Sequence, residues 1–182
     1  MGLDQYAYIV IPDERNTNFD FVRNDGHYHT LCEWRKHPNL QGWMEKLFNA
    51  KADKENYVGQ TEQSEIIVQT MTTMPDGTTA PEGVRTIQSM DEVNEAIKEE
   101  LNRIQFTTLT TKRIFNQQAI RLTMSDLDQL EMAIKLGELP ETKGFFFGGN
   151  ADEEYKEDDL KFIKVAQEGI RAGLEIYYSS WW

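Results

Sequence analysis

The chain has 182 residues, and its 31 acidic and 19 basic side chains give a formal net charge of −12. This balance argues against direct binding to DNA, RNA or anionic membranes, because phosphate groups would repel the protein. No apolar run approaches the roughly 20 residues that a membrane-spanning helix needs, and we expect no signal segment at Met1. One cysteine, Cys32, excludes an internal disulfide and is typical of a reducing cytoplasm.

The first third of the chain contains a strand, a turn signal and a helix signal. Residues 6–11 are apolar on both faces, which predicts a strand covered on both sides. The sequence Asn24-Asp25-Gly26 is a strong turn signal, so we predict a hairpin between residues 19–22 and 28–31. Pro38 suits the first position of a helix that we expect to end near Ala50. The predicted apolar face of this helix comprises Leu40, Trp43, Met44, Leu47 and Phe48.

The middle of the chain alternates between apolar and turn-forming segments. Residues 66–68 are β-branched and predict a strand, and the proline and glycine residues that follow predict a mobile excursion at 71–88. Ser89 and Glu92 form a capping-box pattern ahead of a helix that continues to residue 104. The threonine-rich residues 107–111 fit either an irregular segment or an edge strand.

The last third of the chain predicts a strand, two helices and a final strand. Residues 120–124 alternate as a half-buried strand, after which Ser125 caps a helix that Gly137 ends. Six acids among residues 152–159 precede a helix with an apolar stripe, and residues 174–178 form the last strand. The predicted stripe is Leu160, Ile163, Ala166 or Gln167, and Ile170. The mixture predicts an α+β fold: one domain over residues 1–182, with a single antiparallel or mixed sheet and about three helices packed on it.

The candidate binding residues are aromatic or charged groups in unusual concentrations. Arg35, Lys36 and His37 are three adjacent basic or titratable groups, bordered by Trp34 and Trp43, that suit one anionic or aromatic group. The run 144–149 brackets three phenylalanines with glycines, and the acids at 152–159 form either a solvated helix start or a negative patch. The predicted partner- or ligand-binding residues are Trp34, Arg35, Lys36, His37, Phe146, Asp158, Asp159, Tyr177, Trp181 and Trp182.

Metal and thiol chemistry have weaker support in the sequence. His27, His29 and Cys32 are ligand types that metal sites use, but their spacing matches no standard zinc pattern, so we predict no metal and no cofactor. Cys32 lies near two histidines in sequence, yet no oxyanion loop stands beside it. An enzyme is therefore the less favoured class, and no catalytic residue is assigned.

Several segments resemble a family of small uncharacterised proteins of tailed bacteriophages. The resemblance covers the start Met1-Gly2-Leu3-Asp4-Gln5-Tyr6, the segment from Trp34-Arg35-Lys36 to Trp43, and residues 120–182. The last range includes Leu139-Pro140, Gly144-Phe-Phe-Phe-Gly148, Glu157-Asp158-Asp159-Leu160 and Tyr177-Tyr178-Ser179-Ser180-Trp181. The resemblance implies a phage protein made in the host cytoplasm, and it brings no activity. Residues 51–89 depart from the pattern.

Three hypotheses for function follow from these patterns. The leading one is a non-catalytic phage accessory protein that binds and modulates or inhibits a host factor, such as a defence or transcription component. A second is a binder of a nucleotide signal, in which Trp34, Arg35 and the phenylalanines hold base and phosphate. A third is a metal- or thiol-dependent enzyme. The sequence leaves open whether the protein forms a homo-oligomer.

Overall fold

The computed structural model describes residues 2–60, 66–73, 79–87, 104–109, 113–144 and 147–182, the three short internal ranges as backbone only. The chain divides into two compact units, where the sequence predicts a single domain. The first unit comprises Met1–Tyr57 and Phe115–Trp182, and the second comprises Val58–Ile114. Each unit is described separately below.

A four-stranded antiparallel sheet forms the framework of the first unit. Its strands are β1 (Asp4–Val10), β2 (Tyr28–Arg35), β6 (Ala119–Leu122) and β7 (Glu175–Trp181), in the order β2-β1-β7-β6. The two central strands pair over their whole length, from Asp4 opposite Trp181 to Val10 opposite Glu175. The predicted first and last strands are confirmed, and β7 extends three residues beyond the predicted end.

Three helices pack on the sheet within the described residues, which confirms the α+β prediction. They are α1 (Pro38–Glu55), α2 (Met124–Leu136) and α3 (Asp152–Arg171). The larger core lies between them and the sheet and includes Ala7, Trp34, Ile120, Ile176 and Tyr178 from the strands. None of the described helices is both long and apolar enough to span a bilayer.

The opposite face of the sheet carries a second, smaller apolar cluster. Tyr8, Phe21, Tyr28 and Tyr177 meet there, and Phe21 lies 5.3 Å from Tyr8 and 4.8 Å from Tyr177 between ring centroids. Residues 19–22 form no strand, so the predicted hairpin is wrong. Strand β2 pairs with β1 instead, and the connection between them covers this face of the sheet.

Helix α1 starts at the predicted Pro38, and the face that it presents to the core is rotated slightly from the predicted one. Its fully buried apolar side chains recur at every fourth position, namely Leu40, Met44, Phe48 and Ala52. Trp43 and Leu47, which the sequence places in the centre of the face, are only half-buried at its edge. The helix also continues past Ala50 to Glu55, because Ala52 extends the apolar stripe by one turn. Asn56 then ends it in the left-handed region (φ 53°).

Helix α3 is also rotated relative to the prediction. Its buried residues are Asp159, Phe162, Ile163, Ala166 and Gly169, whereas Leu160 and Ile170 are half-buried. Gly169 lies close to the sheet, since a Cβ there would come within 2.9 Å of Ile9 Cδ1. The rotation brings an acidic residue, Asp159, into the core.

The second unit contains a three-stranded antiparallel sheet of β3 (Ile66–Thr73), β4 (Thr79–Ile87) and β5 (Ile104–Leu109). The strands lie in the order β4-β3-β5. Strand β3 confirms the predicted strand at 66–68. Much of the predicted excursion at 71–88 therefore lies in β3 and β4, and β5 is the edge strand allowed for residues 107–111. The helix predicted for 89–104 lies outside the described residues, except for its last residue.

Helix α2 begins at a capping box two residues before the predicted cap. The Thr123 hydroxyl accepts a hydrogen bond from the Asp126 backbone N–H at 3.3 Å, and the Asp126 carboxylate accepts one from Thr123 N at 2.7 Å. The Asp126 carboxylate also binds Lys51 Nζ at 2.6 Å. Ser125 is exposed and is not the N-cap, so that assignment is wrong, whereas the predicted end at Gly137 is confirmed.

We expect Thr123→Ala to lower the free energy of unfolding by about 1 kcal/mol, because it removes the cap of α2. Ser125→Ala is the matched control and should change stability by less than about 0.5 kcal/mol. Urea unfolding of both variants measures the difference. Equal losses in the two variants would contradict the assignment of Thr123 as the cap.

Candidate functional site

The corner between β2 and α1 contains a buried carboxylate that binds two aromatic side chains. Asp159 of α3 is 1% exposed. Its Oδ1 accepts a hydrogen bond from Trp34 Nε1 at 2.7 Å, and its Oδ2 lies 2.9 Å from His37 Nε2. A carboxylate oxygen accepts, so Nε2 is the ring nitrogen that donates in this contact. Asp159 therefore joins the end of β2 and the start of α1 to the middle of α3.

The other side of the His37 ring faces the first residue of α3. His37 Nδ1 lies 3.8 Å from Asp152 Oδ1, which is longer than a hydrogen bond, and neither atom has another hydrogen-bond partner. Asp152 Oδ2 accepts from Asn39 Nδ2 at 2.9 Å. The Tyr155 ring stacks on His37 with centroids 5.0 Å apart, so α3 contacts the imidazole through three side chains at helical spacing.

A line of polar side chains continues from this corner into the core. Gln5 Oε1 accepts from the His37 backbone N–H at 3.0 Å, and Gln5 Nε2 donates to His37 O and to the Tyr178 hydroxyl. The Tyr178 hydroxyl donates to Gln41 Oε1 at 2.8 Å. Burial raises the pKa of Tyr178 far above its ordinary value, so the phenol is a hydrogen-bond donor at neutral pH. The line is fully enclosed, which indicates a structural role.

The structure separates the predicted binding residues into buried and exposed groups. Trp34, His37, Asp159 and Tyr177 are buried, so the expectation that Trp34 and His37 are exposed to a ligand is wrong. The reason is alternation along β2 together with the pairing to Asp159, which draws both rings inward. Arg35, Lys36, Asp158 and Trp181 are exposed, and Trp182 is half-buried against Phe147 at 5.5 Å. Phe146 lies outside the described residues.

Lys36 turns the chain between β2 and α1. Its φ of 59° lies in the left-handed region, which costs a residue with a side chain of order 1 kcal/mol. Its backbone N–H donates to Leu3 O at 2.8 Å, which holds the turn against the start of β1. Gly148 approaches the Lys36 side chain so closely that a Cβ would lie 3.1 Å from Lys36 Cβ. The turn explains why Arg35 and His37, two residues apart, do not share a surface.

The exposed residues include a row across three neighbouring strands. Asp4 of β1 pairs with Arg35 of β2 on one side and with Trp181 of β7 on the other. Since Trp34 and Tyr178 face the helices, alternation places all three on the opposite side of the sheet. Arg35 Nε lies 3.8 Å from Asp4 Oδ1, and Trp181 is 58% exposed. We call these residues the Arg35–Trp181 row.

The predicted weak metal ligands do not form a cluster. His29 is exposed and pairs with Ile9, whereas Cys32 is half-buried and pairs with Ala7, with a bulge between the two positions. The described residues contain no group of three or more metal-ligating side chains placed to hold an ion. Burial and the Asp159 carboxylate raise the pKa of the Cys32 thiol to about 11. The neutral thiol is a weak nucleophile and a weak metal ligand.

Sequence reasoning missed Asp152, Tyr155 and Asn39 as individual members of the buried corner. A signal for the first two was present, because Asp152, Tyr155 and Asp159 extend the stripe of Phe162 and Ala166 by two helical turns. Because these side chains are polar, the sequence pattern did not identify them as part of the buried stripe. The position of Asp4 between Arg35 and Trp181 depends on strand register, which local sequence patterns do not show.

Comparison of the chain with known proteins identified no related protein. No protein-family model matches the chain, and neither the curated proteins nor the solved structures contain a significant match.

We expect Asp159→Ala to lower the free energy of unfolding by about 3–5 kcal/mol, because it leaves the Trp34 and His37 donors without a buried partner. The adjacent Asp158→Ala removes the same charge from an exposed position and should cost less than about 0.5 kcal/mol. Thermal and urea unfolding measure both variants. A small loss in Asp159→Ala would show that the buried corner does not determine stability.

We expect Cys32 to react slowly with iodoacetamide in the native protein. At pH 7.5 a pKa of about 11 leaves on the order of a hundredfold less thiolate than an ordinary cysteine has. The control is the same chain unfolded in urea. The native rate should rise with pH through about 11, because deprotonation supplies the nucleophile. Equal native and unfolded rates at pH 7.5 would contradict the effect of burial.

Proposed function

We propose that the protein is a bacteriophage accessory protein that binds a host protein in the host cytoplasm and modulates or inhibits it, without catalysis of its own. The observation that carries the binding proposal is the Arg35–Trp181 row. Tryptophan and arginine are enriched among residues that dominate binding energy, and here they lie on a regular sheet rather than a loop. The resemblance described above supplies the phage and host part of the proposal.

The exposure of Trp181 supports this proposal because it breaks the pattern of its own strand. The six preceding residues of β7, Glu175 to Ser180, are all buried, whereas Trp181 leaves more than half of its surface in solvent. Tryptophan is enriched at interfaces because its large ring adds apolar area and its N–H can find a partner there. Arg35 beside it adds a planar cation that binds carboxylates and stacks on aromatic rings.

Two observations count against the alternative functions. The nucleotide hypothesis needs Trp34 as a stacking platform, and its ring is 3% exposed and bonded to Asp159. The thiol-enzyme hypothesis needs a Cys32 thiolate, which the raised pKa disfavours. Neither alternative has an observation of its own in its favour.

The experiment that tests the proposal places a photo-crosslinker at the row. Trp181→p-benzoylphenylalanine is irradiated in bacterial lysate, and the same substitution at Leu136, which is 62% exposed on α2, is the control. We expect a partner that crosslinks at position 181 and not at position 136. Its affinity is then measured with purified proteins.

We expect Trp181→Ala to weaken binding of that partner at least thirtyfold, which corresponds to a loss of about 2 kcal/mol. Leu136→Ala should leave the affinity unchanged, since it removes a similar exposed apolar side chain elsewhere. Arg35→Ala and Arg171→Ala form a second matched pair. Partners that crosslink equally at both positions, or an unchanged affinity in Trp181→Ala, would refute the proposal.

A further inference from the structure

The two edges of the four-stranded sheet differ in how many of their outward backbone groups are occupied by other parts of the chain. Strands β2 and β6 are outermost, and each has one side without a neighbouring strand in its sheet. An open edge presents backbone N–H and C=O groups that can pair with another chain, so natural proteins usually close it. What closes each edge therefore shows where another strand could add.

The β6 edge is short and closed. It has four residues, and the outward backbone groups of Arg121 are both occupied. Arg121 N–H donates to Asn18 O at 2.8 Å, and Arg121 C=O accepts from Lys51 Nζ at 2.6 Å. The same ammonium binds Asp126, which fixes it in place. No room is left for a further strand at Arg121.

The β2 edge is twice as long. It is closed at the Arg35 end, and a bulge interrupts its pairing with β1 between Thr30 and Cys32. The Tyr155 side chain occupies the outward backbone groups of Arg35, because its hydroxyl donates to Arg35 O at 2.9 Å and lies 3.4 Å from Arg35 N. Lys36 N bonds inward to Leu3 O, so alternation directs the backbone of Arg35 and of Glu33 outward. The Glu33 backbone N–H contacts the Cys32 thiol, a weak acceptor on the same strand, and within the described part of the chain no other element bonds the outward backbone of Glu33. The side chains of Thr30 and Glu33 are exposed.

The charge beside this open stretch is negative. Glu33 lies on it, and Asp158 of α3 is close enough for its charge to act on the Cys32 thiol one residue before Glu33. Both carboxylates are exposed. Arg35, the nearest cation on β2, shares the face of Glu33 but is directed inward to Asp4 of β1. The chain as a whole carries −12. These charges favour a basic segment.

We propose that the outer edge of β2 from Thr30 to Glu33 receives an extended, basic segment of the partner protein as an additional strand. This inference rests on the proposed function, since it names how the partner would bind beside the Arg35–Trp181 row. Strand addition takes affinity from backbone hydrogen bonds and specificity from alternate side chains. The Tyr155 hydroxyl limits the added strand, because it already occupies the groups of Arg35.

The first test uses a synthetic probe and the intact protein. The probe is a fluorescent, acetylated peptide of alternating lysine and valine residues, and its binding is measured by fluorescence anisotropy. A second peptide of the same sequence carries N-methyl groups on alternate backbone nitrogens, which keep the charge and prevent strand pairing. We expect the N-methylated peptide to bind at least tenfold more weakly. No binding, or equal binding of both peptides, would overturn the inference.

The second test changes the protein at the outward position. Glu33→Pro removes an outward N–H that β1 does not use, and edge strands tolerate proline there. Glu33→Gln removes the charge and keeps the N–H. We expect the affinity for the lysine–valine peptide to fall at least tenfold in Glu33→Pro and by a smaller factor in Glu33→Gln. Circular dichroism confirms folding, and the peptide comparison with the wild-type protein decides the matter if Glu33→Pro is misfolded.

The outcomes distinguish this inference from the proposed function. If a partner captured at Trp181 binds Glu33→Pro as tightly as the wild type, the strand addition is wrong and the proposed function stands. If the peptide pair behaves as expected while no partner depends on Trp181, the proposed function fails by itself. A homodimer in sedimentation that Glu33→Pro dissociates would assign the edge to a second copy and overturn the basic partner.

Discussion

The buried carboxylate of Asp159 is the constraint on which the first unit depends. A charge removed from water is costly, and the cost is offset only when donors occupy its oxygens. Trp34 and His37 are those donors, one at the end of β2 and the other immediately before α1. Three elements that are distant in sequence are thereby held in one arrangement. An apolar residue at position 159 could fill the space, but it could not specify which rings face it.

Local signals predicted the elements for which one residue decides the backbone. Pro38 started α1 and Gly137 ended α2 as expected, because a fixed φ and a left-handed cap act without tertiary contacts. The strands at the two ends of the chain were also predicted from alternation. Their pairing was not, since register between β1 and β7 depends on residues some 170 positions apart.

The predicted hairpin shows why a true turn signal can mislead. Residues 25–27 do form a turn, but the strand that pairs with β2 is β1, and residues 11–27 connect them. The connection is held by side chains. Asn16 donates to Glu175 at 2.7 Å and accepts from Val22 N at 2.9 Å. The turn residues identified where the chain reverses. The segment before the turn is a connection rather than a strand, because polar contacts to β7 hold it there.

The acidic run at 152–159 could not be interpreted from charge alone, because helical geometry divides it. Asp152 and Asp159 are two turns apart and face His37 from one side of α3. Glu153, Glu154, Glu157 and Asp158 lie on the remaining surface and are exposed. The inward acids fix the helix at the corner where β2 ends. The outward acids, among them Asp158, whose charge acts on the Cys32 thiol, are thereby held at a defined position relative to the open edge of β2. A structural contact thus orients the charges that a basic partner would meet.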